Sequence, residues 1–521
     1  MRILFDLQRT GYLRLYDTTI RLLVERGHEV HIGLRNTREL DEAMGALAGV
    51  EGGLSVGVLR PKRTDVWAPL AELLRQTVDY VRYFDARLEA GYLRTRIDEL
   101  PPVLRPLRRI RVLRPDAVRR LLRALLAIER AIPSSVEVEA LIATTRPEVV
   151  ALTPLVKGLE QTDVIKSARA LGIPTVLGVA SWDHLTTKGM IREPPDRVLV
   201  WNEAQRAEAI DLHLIPEHRV TVTGAQPWDW WFEERAPRDR EEFCGMVGLD
   251  SPRLFVLYAG SSSSIAPPAA ERRFVRNWVA ALRESVDPRV RDLGVLIRPH
   301  PNNADAWSEA GPPEGPNVAM WPRGGRFPMA SDEPTRRDYF DSLFHCTAVV
   351  GINTSAMIEA AIVGRPVLTV EAGEFADTQG ATLHFRHLLP ENGGFVVRAG
   401  DLGTHLDQLA GALEHPGATA AAEERFLRSF VRPQGLRTPS APRVADALER
   451  APRDPVEAVE PRALLVLRAL MWPVAVALRL RRDPPFYSRL RGLWKELRSR
   501  LIALMRLART VVGCGKGRGG Q

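Results

Sequence analysis

Short apolar runs alternate with amphipathic segments from the start of the chain. Residues 2–7 form an apolar run, Ile20, Leu23 and Val24 then recur at helical spacing, and residues 29–34 form a second apolar run. A strand, a helix and a strand in this order are the unit of a parallel sheet. The pattern therefore predicts an α/β protein whose first strand begins at residue 2.

The same alternation resumes beyond residue 145 and then starts a second series after residue 250. The first series predicts strands at 148–153, 174–180, 197–201 and 219–223, with helices at 158–171 and 203–213. The second predicts strands at 254–258, 294–298, 317–321, 348–352 and 367–370, with helices at 270–284, 336–345 and 355–363. Two such series predict two facing Rossmann-like, doubly wound domains, at 1–225 and 226–450.

Two regions depart from this alternation. The segment 66–132 is helical by pattern and is interpreted as an insertion that is dense in arginine, with Arg105, Arg108, Arg109, Arg111, Arg114, Arg119, Arg120 and Arg123. The tail, 451–521, is basic and amphipathic, and its apolar positions from Phe486 onward include Leu490, Leu493, Trp494, Leu497, Leu501, Leu504 and Met505. The tail is expected either to bind an anionic membrane surface through 462–510 or to pack back on the protein.

The composition and charge of the chain limit the classes of protein to which it can belong. Of 521 residues, 45% are hydrophobic and 26% charged, which is typical of globular domains. Residues 462–521 hold 14 Lys/Arg and two Asp/Glu, so the rest carries 58 basic and 62 acidic residues and gives no indication of nucleic-acid binding. The first apolar run is too short for a signal peptide, and no stretch of about 18 uncharged apolar residues occurs, so a cytoplasmic chain without a transmembrane helix is expected. Three scattered cysteines fit a reducing compartment.

The segment from Val350 to Glu359 carries the strongest candidate chemistry. Asn353, Thr354 and Ser355 follow an apolar strand and are good N-cap residues for the next helix, whose first turn can bind an anion. Glu359 lies four positions after Ser355, on the same helix face, where its carboxylate could accept bonds from ribose hydroxyls. The alternative is an ordinary N-cap with a solvated glutamate.

Two further loops follow strands of the second series. Arg298 precedes Pro299, and His300 stands between Pro299 and Pro301; both side chains could donate to phosphate oxygens, although a loop histidine bonded to backbone is an open alternative. Gly260 and Ser261 begin a run of small residues that lets backbone approach a phosphate closely, and a flexible turn is equally open.

The first domain offers acid/base candidates. Asp183 and His184 follow a predicted strand next to Trp182, whose ring could stack on a sugar, and a structural corner with a buried tryptophan is the alternative. The loop 8–14 is expected to face the cleft between the two domains, where Arg14 could meet an anionic acceptor. His384 and His387 are interpreted as structural. The chain contains no Asp-x-Asp triplet and no Walker A loop, so a metal-independent site with no cofactor beyond the donor is expected.

These motifs resemble those of the two-domain GT-B glycosyltransferases. The Arg298–Pro301 element and the turn into Glu359 are similar to those of CDP-glycerol glycerophosphotransferases and UDP-N-acetylglucosamine 2-epimerases. The resemblance implies that Thr354, Ser355 and His300 bind a nucleotide diphosphate and that Glu359 binds ribose. It also implies that residues 224–229 cross between the domains. The epimerase catalytic acids have no counterpart in the first domain, which favours a transferase.

The expected function is therefore transfer of a sugar from a nucleotide-sugar donor to an acceptor. The acceptor classes considered are a lipid-linked sugar or polyol and a cell-envelope polysaccharide, with the enzyme peripheral at the inner face of the membrane. Two alternatives stay open: a CDP-glycerol-type glycerophosphotransferase, and a membrane-associated scaffold without catalysis.

Overall fold

Two parallel sheets form the framework of the protein. The computed structural model describes the chain except for residues 51, 89–100, 111–112, 154–158, 251–253, 323–332, 455–461 and 483–521. The first sheet has seven strands in the order β3-β2-β1-β4-β5-β6-β7. They are β1 (Arg2–Gln8), β2 (Glu29–Leu34), β3 (Leu54–Val58), β4 (Val149–Leu152), β5 (Thr175–Gly178), β6 (Arg197–Val200) and β7 (Val220–Val222).

The second sheet has six strands in the order β10-β9-β8-β11-β12-β13. They are β8 (Phe255–Ala259), β9 (Gly294–Arg298), β10 (Val318–Met320), β11 (Ala348–Gly351), β12 (Val367–Val370) and β13 (Val397–Ala399). In both sheets the strand order reverses beside the first strand, between β1 and β4 and between β8 and β11. Ligands of open parallel sheets bind outside the carboxyl ends of strands at such a reversal.

Helices cover both faces of each sheet, which explains why central strands such as β4 and β8 are apolar throughout and fully buried. The first domain contains α1 (Asp17–Glu25), α2 (Leu40–Ala46), α3 (Ala68–Val81), α4 (Pro115–Ala131), α5 (Val136–Ala143), α6 (Glu160–Ala170), α7 (His184–Thr187) and α8 (Glu203–His213). The predicted α/β class with two Rossmann-like units is confirmed.

The second domain contains α9 (Asp229–Glu233), α10 (Arg240–Val247), α11 (Pro268–Glu284), α12 (Pro288–Arg291), α13 (Ala304–Ala310), α14 (Glu333–His345), α15 (Ala356–Ile362), α16 (Leu383–Arg386), α17 (Leu402–Glu414) and α18 (Ala420–Phe426). After α18 the chain returns to the first domain as α19 (Ala441–Arg450). Val444, Ala445 and Leu448 of α19 complete the apolar cluster that contains Ile20 and Leu23 of α1.

Two strands are absent from the sequence prediction. Both β3 and β13 lie at sheet edges, and most of their side chains are only partly buried, whereas those of central strands are fully buried. An edge strand loses the continuous apolar run that marks a strand covered on both faces. The periodicity therefore carries little signal at these two positions.

The arginine-rich insertion is helical, as predicted, in its described part. The helices α3 and α4 pack against each other and are tied to α6 by buried ion pairs, in which Arg75 meets Glu129 at 2.9 Å and Asp163 at 2.6 Å. Buried pairs of this kind depend on each partner, because removing one leaves an uncompensated charge.

One more helix, α20 (Arg462–Arg482), packs on α3 and α4. Trp472 of α20 meets Trp67 edge-on with ring centroids 5.6 Å apart, and Ala475 is fully buried. Contrary to the sequence expectation, residues Ala463–Arg482 are long and apolar enough to cross a bilayer, by length and composition only. The predicted amphipathic positions from Phe486 onward lie outside the described residues.

Candidate functional site

A cleft of about 420 Å³ lies between the carboxyl edges of the two sheets. Both domains line it, which brings together most of the candidates identified in the sequence. The first domain contributes Gly11, Arg14, Trp182, Asp183, His184 and Lys188, and the second contributes His300, Asn353, Thr354, Ser355 and Glu359. Gly260, Ser261 and Arg298 are not part of the lining.

Gly260 and Ser261 instead hold the loops of the second domain together. The Gly260 N–H donates to the Arg298 carbonyl at 2.9 Å, and a Cβ on Gly260 would lie 2.7 Å from the His300 backbone nitrogen. Only glycine permits so close an approach. The fully buried Ser261 hydroxyl accepts from the Asn353 N–H at 3.3 Å, so it connects the β8 loop to the turn after β11.

Arg298 faces α14 rather than the cleft, which corrects its predicted role as a forked phosphate donor. Its guanidinium donates to the Ser342 hydroxyl at 2.6 Å and the Asp338 carbonyl at 3.1 Å, and stacks 5.1 Å from the centre of the Tyr339 ring. Burial lowers the pKa of Arg298 to about 10, against the raising effects of Tyr339 and neighbouring carboxylates. Arg298 therefore positions Tyr339.

Glu359 is buried in the cleft wall with its carboxylate oriented by two donors. The Tyr339 hydroxyl donates to Oε2 at 2.6 Å, and the Trp228 indole N–H donates to Oε1 at 3.4 Å. Burial raises the pKa of Glu359, while Tyr339 and Arg14 oppose that rise. The predicted glutamate is thus a fixed acceptor in the cleft wall and not a solvated surface residue.

His300 is a neutral hydrogen-bond donor in this arrangement. Its Nδ1 accepts from the Asn302 N–H at 3.1 Å, which assigns the ring proton to Nε2. Burial, together with the charge of Arg14, lowers the pKa of His300 to about 4. Above that pH the ring presents an N–H and no charge.

The turn before α15 exposes the Ser355 hydroxyl, to which no described residue bonds. Ser355 occupies the N-cap position but makes no capping bond, and its side chain is exposed to the cleft. The helix that follows has only seven residues. The sequence-predicted capping role is therefore not fulfilled by Ser355, and its hydroxyl remains available.

Asn353 and His384 link the two walls of the cleft. The Asn353 amide donates to the Thr378 carbonyl at 2.7 Å and lies 3.1 Å from Nε2 of His384. Nδ1 of His384 lies 3.3 Å from the Thr186 hydroxyl in α7, and its ring stands edge-on to Trp182 at 4.8 Å. His384 lines the cleft, a place that a lone histidine in the sequence did not indicate.

Asp183 is a firmly ionised carboxylate. The Ser181 and Thr187 hydroxyls donate to it at 2.5 and 2.8 Å, and Lys188 lies 3.6 Å away. Although burial opposes ionisation, Lys188 and the neighbouring histidines hold the pKa of Asp183 well below its usual range. A carboxylate held so firmly in its charged form is a weak base, which separates Asp183 from its neighbour in chemical role.

His184 is the stronger base of the two side chains, although burial makes it weaker than a free histidine. Burial lowers its pKa to about 4, although the Asp183 charge acts to raise it. Its Nδ1 is buried and has no hydrogen-bond partner among the described residues. The imidazole is therefore neutral at pH 7 and retains a nitrogen lone pair.

Three cations line the cleft. Arg14 is exposed, and no described residue bonds to it, yet its charge acts on both His300 and Glu359. Arg336 stacks over the Trp230 ring at 4.5 Å, and Lys188 faces Asp183. Of the three, only Arg14 was identified from the sequence, because Arg336 lies in a charged helix where its partners depend on folding.

The aromatic part of the cleft was also missed. Trp228, Trp230, Trp231 and Tyr339 line it, and Trp201 packs against Trp228 with ring centroids 4.7 Å apart. The cluster of tryptophans after residue 227 was the available signal, and it indicated only a domain crossing. Among the described residues no group of three His, Cys, Asp or Glu side chains is arranged to hold a metal ion.

Comparison with known proteins supports the fold and does not assign an activity. No family model matches the chain, and no curated protein matches it in sequence. A Listeria monocytogenes structure, provisionally assigned as a UDP-N-acetylglucosamine 2-epimerase, matches 88% of this chain and 99% of its own with a TM-score of 0.50 and 9% identity.

Two other similar structures have lower TM-scores. A glycosyltransferase from Rickettsia africae covers 86% of this chain and 98% of its own, with a TM-score of 0.47 and 10% identity. The Neisseria meningitidis UDP-GlcNAc 2-epimerase, bound to UDP-GlcNAc, covers 86% and 100%, with a TM-score of 0.46 and 11% identity. The two parallel sheets, together with the match to the Listeria monocytogenes structure at a TM-score of 0.50, show a GT-B-like fold, as the sequence resemblance predicted.

Proposed function

We propose that the protein is a glycosyltransferase that binds a nucleotide-sugar donor in the cleft between its two domains. The observation that carries the proposal is the convergence of two second-domain loops on one cavity. The loop after β9 and the turn after β11 end at one cavity, and Gly260 and Ser261 hold them there. The His300 ring N–H, the Ser355 hydroxyl and cationic side chains meet at that point, which is the chemistry that a diphosphate requires.

The diphosphate would contact groups from both domains. His300 offers its Nε2 proton and Ser355 a free hydroxyl, while Arg14 and Arg336 supply positive charge. Charge that develops on a departing nucleoside diphosphate is stabilised by groups already in place. Because two arginines supply that charge, the proposed transfer is independent of a metal ion.

Glu359 would bind the ribose. Its two oxygens each accept one bond from the protein, and a carboxylate oxygen has room for a second. Tyr339 and Trp228 fix the carboxylate, so ribose hydroxyls would meet an acceptor that is already oriented.

His184 would remove the proton from the acceptor hydroxyl. The hydroxyl oxygen then bonds to the anomeric carbon of the donor, the bond from that carbon to the diphosphate breaks, and the nucleoside diphosphate leaves. Asp183 stays ionised throughout and stabilises the imidazolium that forms on His184. His184 is favoured over Asp183 as the base, because Lys188 and two hydroxyls stabilise the Asp183 carboxylate and make it harder to protonate than the imidazole.

A thermal-shift screen against UDP, GDP, CDP and dTDP tests the proposal. A ligand at 100 times its Kd stabilises the folded state by about 2.7 kcal/mol, so one nucleotide is expected to raise the melting temperature. A preference for CDP followed by transfer of glycerol phosphate would instead support the glycerophosphotransferase alternative. No shift with any nucleotide would support the scaffold.

The ribose contact is tested by Glu359→Ala. Loss of a charged hydrogen bond is expected to weaken nucleotide binding by about 1–3 kcal/mol in calorimetry. Glu284→Ala, at an exposed position of α11, is the matched control and should bind as wild type does. Equal affinity of both variants would remove the ribose role from Glu359.

The proposal extends to a membrane surface and a lipid-linked acceptor. Leu470 of α20 is 70% exposed in an apolar face, and anionic vesicles are expected to bind it. Leu470→Glu should reduce co-sedimentation with such vesicles, whereas Val286→Glu, at a 96% exposed position away from α20, should not. If the wild-type protein failed to co-sediment, the proposed membrane association would be wrong.

A further inference from the structure

A second and larger cavity lies away from the cleft. It measures about 930 Å³ and is formed by α4, the end of α8, the segment 191–194 and the beginning of α20. It shares no lining residue with the cleft between the domains. Its size falls within the range of small-ligand sites, of about 300–1,000 Å³.

The rim of this cavity carries uncompensated positive charge. Arg123 and Arg130 lie seven positions apart on one face of α4, line the cavity, and are exposed. No described residue forms an ion pair or hydrogen bond with either. The spacing places both guanidinium groups on the same side of the helix, two turns apart.

The other charged groups of the lining are already engaged. Lys166 donates to the Glu129 carboxylate at 3.1 Å and to the Ile132 carbonyl at 2.8 Å. The two carboxylates of the lining, Glu193 and Glu217, each have an arginine partner. An anion entering the cavity would therefore meet Arg123 and Arg130 without competition from a free carboxylate among the described residues.

The interior between these charges is apolar. Hydrocarbon side chains from three helices and two loops form its walls, among them Leu126, Ile132, Ile210, Ile215 and Leu464. A small hydrophilic anion such as free phosphate gains nothing from such walls. A ligand with a charged head and a hydrocarbon body satisfies both parts of the lining.

The helix beside the cavity exposes an apolar face. Between 463 and 477 every exposed position of α20 is uncharged and apolar, namely Ala463, Leu465, Val466, Ala469, Leu470, Trp472, Pro473, Val474 and Ala477. Leu464 and Arg468, on the opposite face, line the cavity, and Arg468 also donates to the Ala131 carbonyl at 2.8 Å. One helix thus has a cavity under one face and, among the described residues, a largely exposed apolar surface on the other, an arrangement that fits a bilayer interface.

The geometry points to this cavity as a binding site for an anionic phospholipid of the bilayer, with the phosphate head at Arg123 and Arg130 and the acyl chain between α4 and α20. This inference deepens the membrane part of the proposed function and rests on it for the source of the lipid. The site is distinct from the nucleotide cleft, so the lipid is a docking ligand and not the sugar acceptor.

The test uses lipids that are soluble without a bilayer. Dihexanoyl phosphatidylglycerol below its micelle concentration should bind the full chain in calorimetry, with dihexanoyl phosphatidylcholine and glycerol 3-phosphate each at least about tenfold weaker, because one has a compensated head and the other no chain. The double change Arg123→Glu with Arg130→Glu should weaken phosphatidylglycerol binding by roughly 25-fold or more, at about fivefold for each arginine lost near an anionic lipid.

Two further variants separate the cavity from general surface charge. Arg120→Glu, exposed on the same helix but outside the lining, should bind the lipid as wild type does. Ala127→Trp, which places a large ring in the lining without changing charge, should abolish binding. Nucleotide thermal shifts should be unchanged in all of these variants.

The inference is overturned if phosphatidylglycerol and phosphatidylcholine bind equally, if glycerol 3-phosphate binds as tightly as the lipid, or if Arg120→Glu weakens binding as much as the double variant. If the wild-type protein bound vesicles but not the short lipid, the lipid site in the cavity would be wrong and the membrane-binding surface would be retained. If it bound the short lipid but not vesicles, the membrane-binding surface would be wrong and the lipid site in the cavity would be retained.

Discussion

The two walls of the cleft are built in different ways. The second-domain wall consists of loops after β8, β9 and β11, connected by backbone contacts and the Ser261 hydroxyl. The first-domain wall includes α7 and its flanking residues, where the charge of Lys188 lowers the pKa of Asp183 and the charge of Asp183 acts on His184. A wall made by strand ends holds the ligand-binding groups in fixed positions. A wall made by interacting charged groups determines which side chain carries a proton.

The largest expected effect comes from the charged wall. His184→Gln replaces the proposed base with an uncharged amide of similar size, and kcat for sugar transfer should fall by about 10²–10⁴-fold. Nucleotide affinity should not change, because the second wall is intact. The measurement is single-turnover transfer alongside nucleotide calorimetry.

Gln161→Asn serves as the control for His184→Gln, since Gln161 is buried in the first domain but lies outside the cleft lining. A kcat for His184→Gln equal to that of the control would show that the base is another group. A loss of nucleotide affinity in the same variant would show that the two walls are not separable.

The strand-end wall is tested by Gly260→Val. A side chain there would displace the His300 backbone, which lies 2.7 Å from the position of the added Cβ. Overpacking of this kind is expected to lower the free energy of unfolding by about 3 kcal/mol and to weaken nucleotide binding. Chemical denaturation and calorimetry measure the two effects.

Gly245→Val is the control for this change, because nothing lies within 4 Å of a Cβ at Gly245. If Gly260→Val were as stable as the control and still bound nucleotide, close approach of the two loops would not be a requirement of the site.

The pH dependence of stability tests the histidines between the walls. Burial lowers the pKa of His184 and His384 to about 4, whereas an unfolded histidine has a pKa near 6.5. The unfolded state therefore binds more protons than the folded state between these values, and unfolding free energy falls as pH falls. Each histidine should account for about 2 kcal/mol of loss between pH 7 and pH 5.

His384→Gln should remove about 2 kcal/mol of that difference, measured by urea denaturation at the two pH values. His415→Gln, at an exposed position, should leave the difference as it is in wild type. A pH profile unchanged by His384→Gln would mean that folding does not lower the pKa of this ring.

The smallest expected effect concerns the orientation of Glu359. Tyr339→Phe removes the hydroxyl that donates to Oε2 at 2.6 Å and should weaken nucleotide binding by about 1 kcal/mol. Tyr12→Phe, at another tyrosine of the cleft lining with no recorded bond to Glu359, is the matched control. Equal affinity of the two variants would show that Trp228 alone suffices to orient the carboxylate.

The sequence predicted the sheets because central parallel strands carry continuous apolar runs. It also placed His300 and the turn from Asn353 to Glu359 directly after two strands of the second series, and the carboxyl ends of parallel strands share one edge. These inferences need only periodicity and strand direction, which are local properties of the chain.

The roles of Arg298, Gly260 and His384 could not be predicted in the same way. Arg298 follows a strand as a phosphate donor would, yet Ser342 and Tyr339 of α14 take its guanidinium. His384 is distant in sequence from both Thr186 and Asn353, so its place depends on how two domains meet. Such contacts are determined by tertiary packing, which local sequence patterns do not reveal.

The return of α19 to the first domain means that the halves are not separable pieces of protein. The chain passes between them at residues 223–229 and again at 431–440, and the passages are joined where the Asp229 carboxylate accepts from the Ser440 N–H at 2.7 Å. Opening of the cleft would thus be a rotation about this double connection. A fragment ending at residue 225 would expose Ile20 and Leu23 to water, and would need α19 supplied in trans to fold.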